Sequence, residues 1–152
     1  MIDNNIQQAF DFLCANCEGA LATVSQGRPR LRAFQVMRIE GENLYFATAP
    51  QKEVYQQLHE NPHVEFMVLK DRVSVRVAGS VLFDVDDETR RWIYDHNPVL
   101  PRLYTSADKL VCFRLPVEYL EYFDLRPTPP VVLHTDLLSH KTHEGFRGER
   151  FS

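Results

Sequence analysis

Three stretches of the chain carry residue types and spacings suited to chemistry. Cys14-Ala15-Asn16-Cys17 sets two thiols at the C-x-x-C interval of zinc sites and redox motifs. A structural zinc site wants four ligands, and only Cys112 is left over. A redox pair wants a strand–helix–strand setting, which the flanking pattern lacks. Both thiols fall on or beside an apolar helical face, so core packing accounts for them better. His134, Asp136, His140 and His143 offer metal donors, but their segment follows Pro127, Pro129 and Pro130 and shows little periodicity. A metal site needs an organised outer shell, and a solvated tail is the better account. No serine or cysteine stands in a nucleophile-elbow context, so hydrolysis has no support.

The third stretch is basic. Arg30, Arg32, Phe34, Val36 and Arg38 share one face of a predicted strand by its period of two. Leu31, Ala33, Met37 and Ile39 share the other face with Gln35. A face that opens with arginines and turns apolar suits a ligand with an anionic end and a flat apolar body. Taken alone, it is better explained as a solvated strand end. The next segment shifts that balance. Thr48-Ala49-Pro50-Gln51-Lys52 lies where a strand meets a helix start, and unpaired N–H groups with the helix dipole favour phosphate there. Thr48 adds a hydroxyl and Lys52 a mobile charge. With Arg32 on an adjacent strand, these residues form a candidate phosphate clamp.

The elements that must position them follow from punctuation. Ile6, Phe10, Leu13 and Cys17 fall on one face of a predicted helix over 3–17, which Glu18-Gly19 stops. Ala20–Ser25, Arg30–Ile39 and Leu44–Thr48 read as strands of one antiparallel meander, joined through Gln26-Gly27-Arg28-Pro29 and Glu40-Gly41-Glu42-Asn43. A helix from Pro50 ends at Asn61-Pro62. His63–Leu69 and Val73–Phe83 are two further strands. Asp86-Asp87-Glu88 caps another helix, and Lys109–Leu115 and Glu118–Leu125 close the set. The whole predicts a mainly β chain: a six- to seven-stranded antiparallel barrel with short flanking helices over 1–125, then an extended Pro/His-containing tail over 126–152. A parallel nucleotide-binding sheet is not expected, because strand–helix alternation and a glycine-rich loop are missing.

Composition narrows the classes. The 152 residues suffice for one domain, and 17 basic against 21 acidic residues give a net charge of −4, which disfavours a nucleic-acid partner. No apolar run approaches the ~18 residues of a membrane span. Three cysteines imply no disulfide framework, and a reducing cytoplasm fits them.

Taken in order, these segments resemble the pyridoxamine 5′-phosphate oxidase-like, FMN-binding split-barrel family. The likeness is carried by Ala20-Leu21-Ala22-Thr23-Val24, Arg28–Val36, Leu44–Lys52 with the helix after it, and Val73–Gly79. It implies a split β-barrel and a homodimer with two FMN molecules between the subunits. It also implies flavin contacts from Arg32, Ala33, Phe34, Gln35, Val36 and Met37, from Ala47 and Thr48, from Gln51 and Lys52, and from Ser74. This chain departs from the true oxidases. Met37 replaces a lysine, Gln51 replaces one member of a basic pair, and the tail lacks their basic, proline-containing signature. Vitamin B6 phosphate oxidation is therefore not expected.

The resulting expectation is an FMN oxidoreductase that passes hydride from a nicotinamide donor to a small-molecule acceptor. The catalytic residue is unassigned and no metal is called for. A non-catalytic flavin or haem carrier on the same barrel is the alternative, related families holding haem or a deazaflavin. An empty structural dimer is a third reading. Trp92 and Tyr104 are candidate cleft aromatics, with core packing the better account of each.

Overall fold

The computed structural model describes residues 4–145. Helix α1 (Asn4–Ala15) leads into β1 (Glu18–Ser25), β2 (Arg28–Gln35), β3 (Arg38–Glu40) and β4 (Asn43–Thr48). Helix α2 (Glu53–Glu60) precedes β5 (His63–Lys70) and β6 (Val73–Ser80). Helices α3 (Asp87–His96) and α4 (Val99–Leu103) and a short 3₁₀ turn lead to β7 (Val111–Pro116) and β8 (Tyr119–Asp124), and β9 (Val131–Asp136) and β10 (Lys141–Glu144) follow. One sheet runs β10-β9-β8-β6-β5-β1-β2 and a second runs β3-β4-β7, with every pairing antiparallel. This is the mainly β barrel split between two sheets.

The turns are set by local chemistry. Ser25 pairs with Arg28 across Gln26 (φ 53) and Gly27 (φ 74). Lys70 pairs with Val73 across Asp71 (φ 50) and Arg72 (φ 68). Two consecutive positive φ values give the tight turn whose twist matches antiparallel strands. Asp86 caps α3 by accepting the Thr89 N–H at 2.8 Å. Ile6, Ala9, Phe10 and Leu13 of α1 are buried against the main core, where Phe46, Phe66 and Phe113 are fully enclosed. A smaller cluster holds Ala47, Ile93, Leu100, Tyr104, Leu110 and Cys112.

Four expectations are corrected. The long arginine strand breaks in two: the Val36 N–H donates to the Cys17 carbonyl, and the Met37 N–H donates to the Tyr45 carbonyl. The chain thus changes partner between adjacent residues and passes from one sheet to the other, so there is no three-strand meander. The segment after Arg126 is not a solvated tail through Glu144. It is a hairpin laid on β8, with Leu133 opposite Tyr122 and Leu137 in the main core. Its alternation was hidden because Val132 and His134 are buried on one face while Leu133 and Thr135 are covered on the other. Finally, Cys14 is exposed and only Cys17 packs against the core; both are free thiols.

Candidate functional site

Where the chain changes sheets, residues of β1, β2, β4 and α4 come together around one cleft. The cleft has a volume of about 290 Å³. Its β side is made by Glu18, Gly19, Ala33, Phe34, Gln35, Met37 and Ala47, and its far wall by Val99, Leu100, Leu103 and Tyr104. Lys52 is the one cation among the lining residues.

Each wall has a local cause. Gly19 lets β1 approach β5 closely, since a Cβ there would lie 2.3 Å from the Met67 carbonyl oxygen. Phe34 is anchored by edge contact with Phe46 at 5.7 Å and by Phe113 at 6.0 Å. The buried Asn97 holds the helical wall: its Nδ2 donates to the Met37 carbonyl at 3.1 Å and to the Ile93 carbonyl at 2.8 Å. Asn97 therefore ties the end of α3 to the point where the strand changes sheets, and so fixes the start of α4. Lys52 sits at the N-cap of α2, exposed, with Nζ 5.4 Å from the centre of the Tyr104 ring.

Ala33, Phe34, Gln35, Met37, Ala47 and Lys52, all named from sequence, are thus brought to one cleft. The others sit around it. Val36 is buried in the main core, and Gln51 is exposed in the turn before α2. Thr48 is wholly enclosed, and its hydroxyl has no hydrogen-bond partner among the described residues. Arg32 belongs to the other sheet from Thr48, so the adjacent-strand premise does not hold. Its guanidinium bonds Thr23 Oγ1 at 2.9 Å, the Leu21 carbonyl at 3.3 Å and Gln57 Oε1 of α2. Burial lowers the Arg32 pKa, countered by Glu53 in the first turn of α2. Ser74 is buried on the face of the large sheet that carries Leu69, and Arg76 beyond it is fixed by Glu65 at 2.5 Å and Glu121 at 2.9 Å.

Of the two aromatics considered, Tyr104 lines the cleft while also packing in the smaller cluster. Trp92 is 38% exposed, stacked on His96 at 4.0 Å. Sequence reasoning missed Gly19, which reads as a helix stop, and Val99, Leu100 and Leu103, whose helix is too short for a periodic signal. The carboxylates and imidazoles of the described residues do not gather into a metal-binding group of three. No helix among them is long and apolar enough to cross a membrane.

A two-sheet split barrel with a cleft at the sheet junction defines the structural class. Residues 7–106 match the family model described as pyridoxamine 5′-phosphate oxidase, and the chain belongs to that family. No curated protein matches it in sequence. Among solved structures, it is similar to General Stress Protein 26 from Bacillus anthracis, with 19% identity, TM-score 0.70, and coverage of 79% of this chain and 94% of that one. It is also similar to a pyridoxamine 5′-phosphate oxidase-related, FMN binding protein from Nostoc punctiforme, with 15% identity, TM-score 0.61, and coverage of 93% and 92%. A heme binding protein from Mycobacterium smegmatis shares 14% identity at TM-score 0.73, covering 92% of this chain and 61% of that one. At these identities the likeness establishes the fold.

Proposed function

We propose that this protein binds FMN in the cleft and uses it as an oxidoreductase, taking hydride from a nicotinamide donor and delivering it to a small acceptor. The observation that carries the reading is the convergence of Lys52 with Ala33, Phe34, Gln35, Met37 and Ala47 on one cleft. The residues fit the group. Lys52 supplies a positive charge at the start of α2, where N–H groups favour an anion. Phe34, Met37, Leu100 and Tyr104 supply apolar walls for a flat ring, and Gln35 supplies an amide for its polar edge. Arg32 adds positive charge beside α2 and holds that helix to β1 and β2 through Gln57 and Thr23. The Thr48 hydroxyl, buried at the end of β4 and without a hydrogen-bond partner among the described residues, would be a further donor toward the phosphate in this reading. Bound flavin would supply the hydride chemistry; the protein would hold and orient it.

The functional unit in this reading is a homodimer. Val24, Leu31, Met67 and Leu69 stand exposed on one face of the β2-β1-β5 region, Leu31 at 71% and Leu69 at 66%. An apolar patch of this kind marks an association surface. Ser74 shares that face and would meet the partner's cofactor. The free thiols are consistent with a cytoplasmic location.

Absorbance of the purified protein, followed by FMN titration, tests the reading. A yellow protein, or saturable quenching of added FMN, is expected; a colourless protein that leaves FMN fluorescence unchanged overturns it. Anaerobic bleaching by NADH or NADPH, reversed by an added acceptor, separates an enzyme from a carrier. Haem is less well served, because none of the six histidines lines the cleft.

A further inference from the structure

The cleft cation is not free to wander. Lys52 Nζ stands 5.4 Å from the Tyr104 ring centre, inside the ~6 Å reach of a cation–π contact. The two partners differ in freedom. Tyr104 is 9% exposed and packs with Ala47, Leu110 and Cys112. Its N–H donates to the Leu100 carbonyl at 2.8 Å, and its carbonyl accepts the Tyr94 hydroxyl at 2.8 Å. The ring is therefore fixed by packing and by backbone bonds on both sides. Lys52 has a long exposed stem and no ion pair among the described residues. An untethered lysine would lose its rotamer freedom only when an anion arrived, which weakens binding.

We propose that Tyr104 is a positioning residue for Lys52: its ring face holds the ammonium inside the cleft, so that the anionic end of the ligand meets a charge already in place. The inference rests on the reading that Lys52 receives the FMN phosphate, and assigns to it the residue that places the charge. An ammonium has three donors, and the ring occupies one side, leaving the others for phosphate oxygens. The contact to Lys52 is made by the ring face, and the buried hydroxyl, without a hydrogen-bond partner among the described residues, is not part of it. The ring is what matters, so phenylalanine serves and an aliphatic residue does not.

Titrating the full chain with FMN and with riboflavin, the same ring system without the phosphate, separates positioning from packing. Tyr104→Leu is expected to weaken FMN about two- to fivefold relative to riboflavin. Tyr104→Phe is expected to keep the wild-type ratio. In a Lys52→Ala background, Tyr104→Leu should leave the FMN-to-riboflavin ratio where Lys52→Ala alone puts it. Thermal melts check that each variant folds, and Tyr104→Met replaces Tyr104→Leu if that one does not. Equal loss of FMN and riboflavin in Tyr104→Leu, or loss of the ratio in Tyr104→Phe, overturns the inference while leaving the phosphate reading intact. A Lys52→Ala protein with an unchanged ratio overturns both.

Discussion

Gly19→Ala adds one methyl at the wall of the cleft, and the structure leaves it no room. The new Cβ would lie 2.3 Å from the Met67 carbonyl oxygen, 2.8 Å from Phe66 Cζ and 2.8 Å from Val68 Cγ2. Phe66 and Val68 are 0% and 2% exposed, so neither side chain can turn outward. The nearest atom is backbone, in the strand where Met67 pairs with Ala20. Restoring an ordinary contact means parting β1 from β5 by about 1 Å. Overpacking of this kind costs ~1–3 kcal/mol, and a backbone obstacle places Gly19→Ala at about 2–3 kcal/mol. For a chain of this length, that lowers Tm by about 4–12 °C. Because Gly19 lines the cleft, FMN affinity should fall with it. Gly27→Ala is the control: at φ +74 with nothing within 4 Å, it costs ~1–2 kcal/mol through left-handed backbone strain and leaves FMN affinity alone. Calorimetry and flavin titration of both variants check the argument. A Gly19→Ala protein melting within about 1 °C of wild type would refute the close approach of β1 and β5.

Other expectations follow from single contacts. Gln57→Leu strips Arg32 and Thr23 of a shared acceptor and should cost about 1–3 kcal/mol in urea unfolding; an unchanged midpoint would show that Arg32 does not depend on it. Asn97→Leu removes one buried and one half-buried hydrogen bond that hold the start of α4, and should both destabilise the fold by about 1–3 kcal/mol and weaken FMN. The Arg126 guanidinium and N–H hold the Asp124 carboxyl down at about 2 from its ordinary 3.8. A depressed folded value means stability that is present above pH 3.8 and lost as pH falls toward 2, so Arg126→Ala should flatten the Tm profile across that window. A chain ending near Leu125 would bare the β8 edge and remove Leu137 from the core, and should melt lower or aggregate; an unaltered melt would show that the hairpin adds nothing.

The strands of the barrel were legible because their cause is local. His63–Leu69 is rich in β-branched and aromatic residues, and in β5 Val64, Phe66 and Val68 are buried while His63, Glu65, Met67 and Leu69 alternate with them on the exposed face. The cap at Asp86 and the stop at Asn61-Pro62 act within a few residues, and both hold. The hairpin after Arg126 was not legible, since β9 is covered on both faces and loses the period-two contrast, while β10 is short and mostly exposed.

The candidate site divides along the same line. Sequence alone placed Arg30 to Gln35 on a strand and Thr48–Lys52 at a strand-to-helix junction, because spacing and turn chemistry act locally; it did not show that the strand breaks before Arg38. Only the tertiary structure decided which of them meet. The partner change between Val36 and Met37 sends β2 and β4 into different sheets, turning Arg32 toward α2 and opening the cleft at Ala33, Phe34 and Ala47. The same break lets Asn97 reach the Met37 carbonyl and bring α4, with Tyr104 at its end, over Lys52. Sixty residues separate Met37 from Asn97, and no local pattern encodes a bond across that distance.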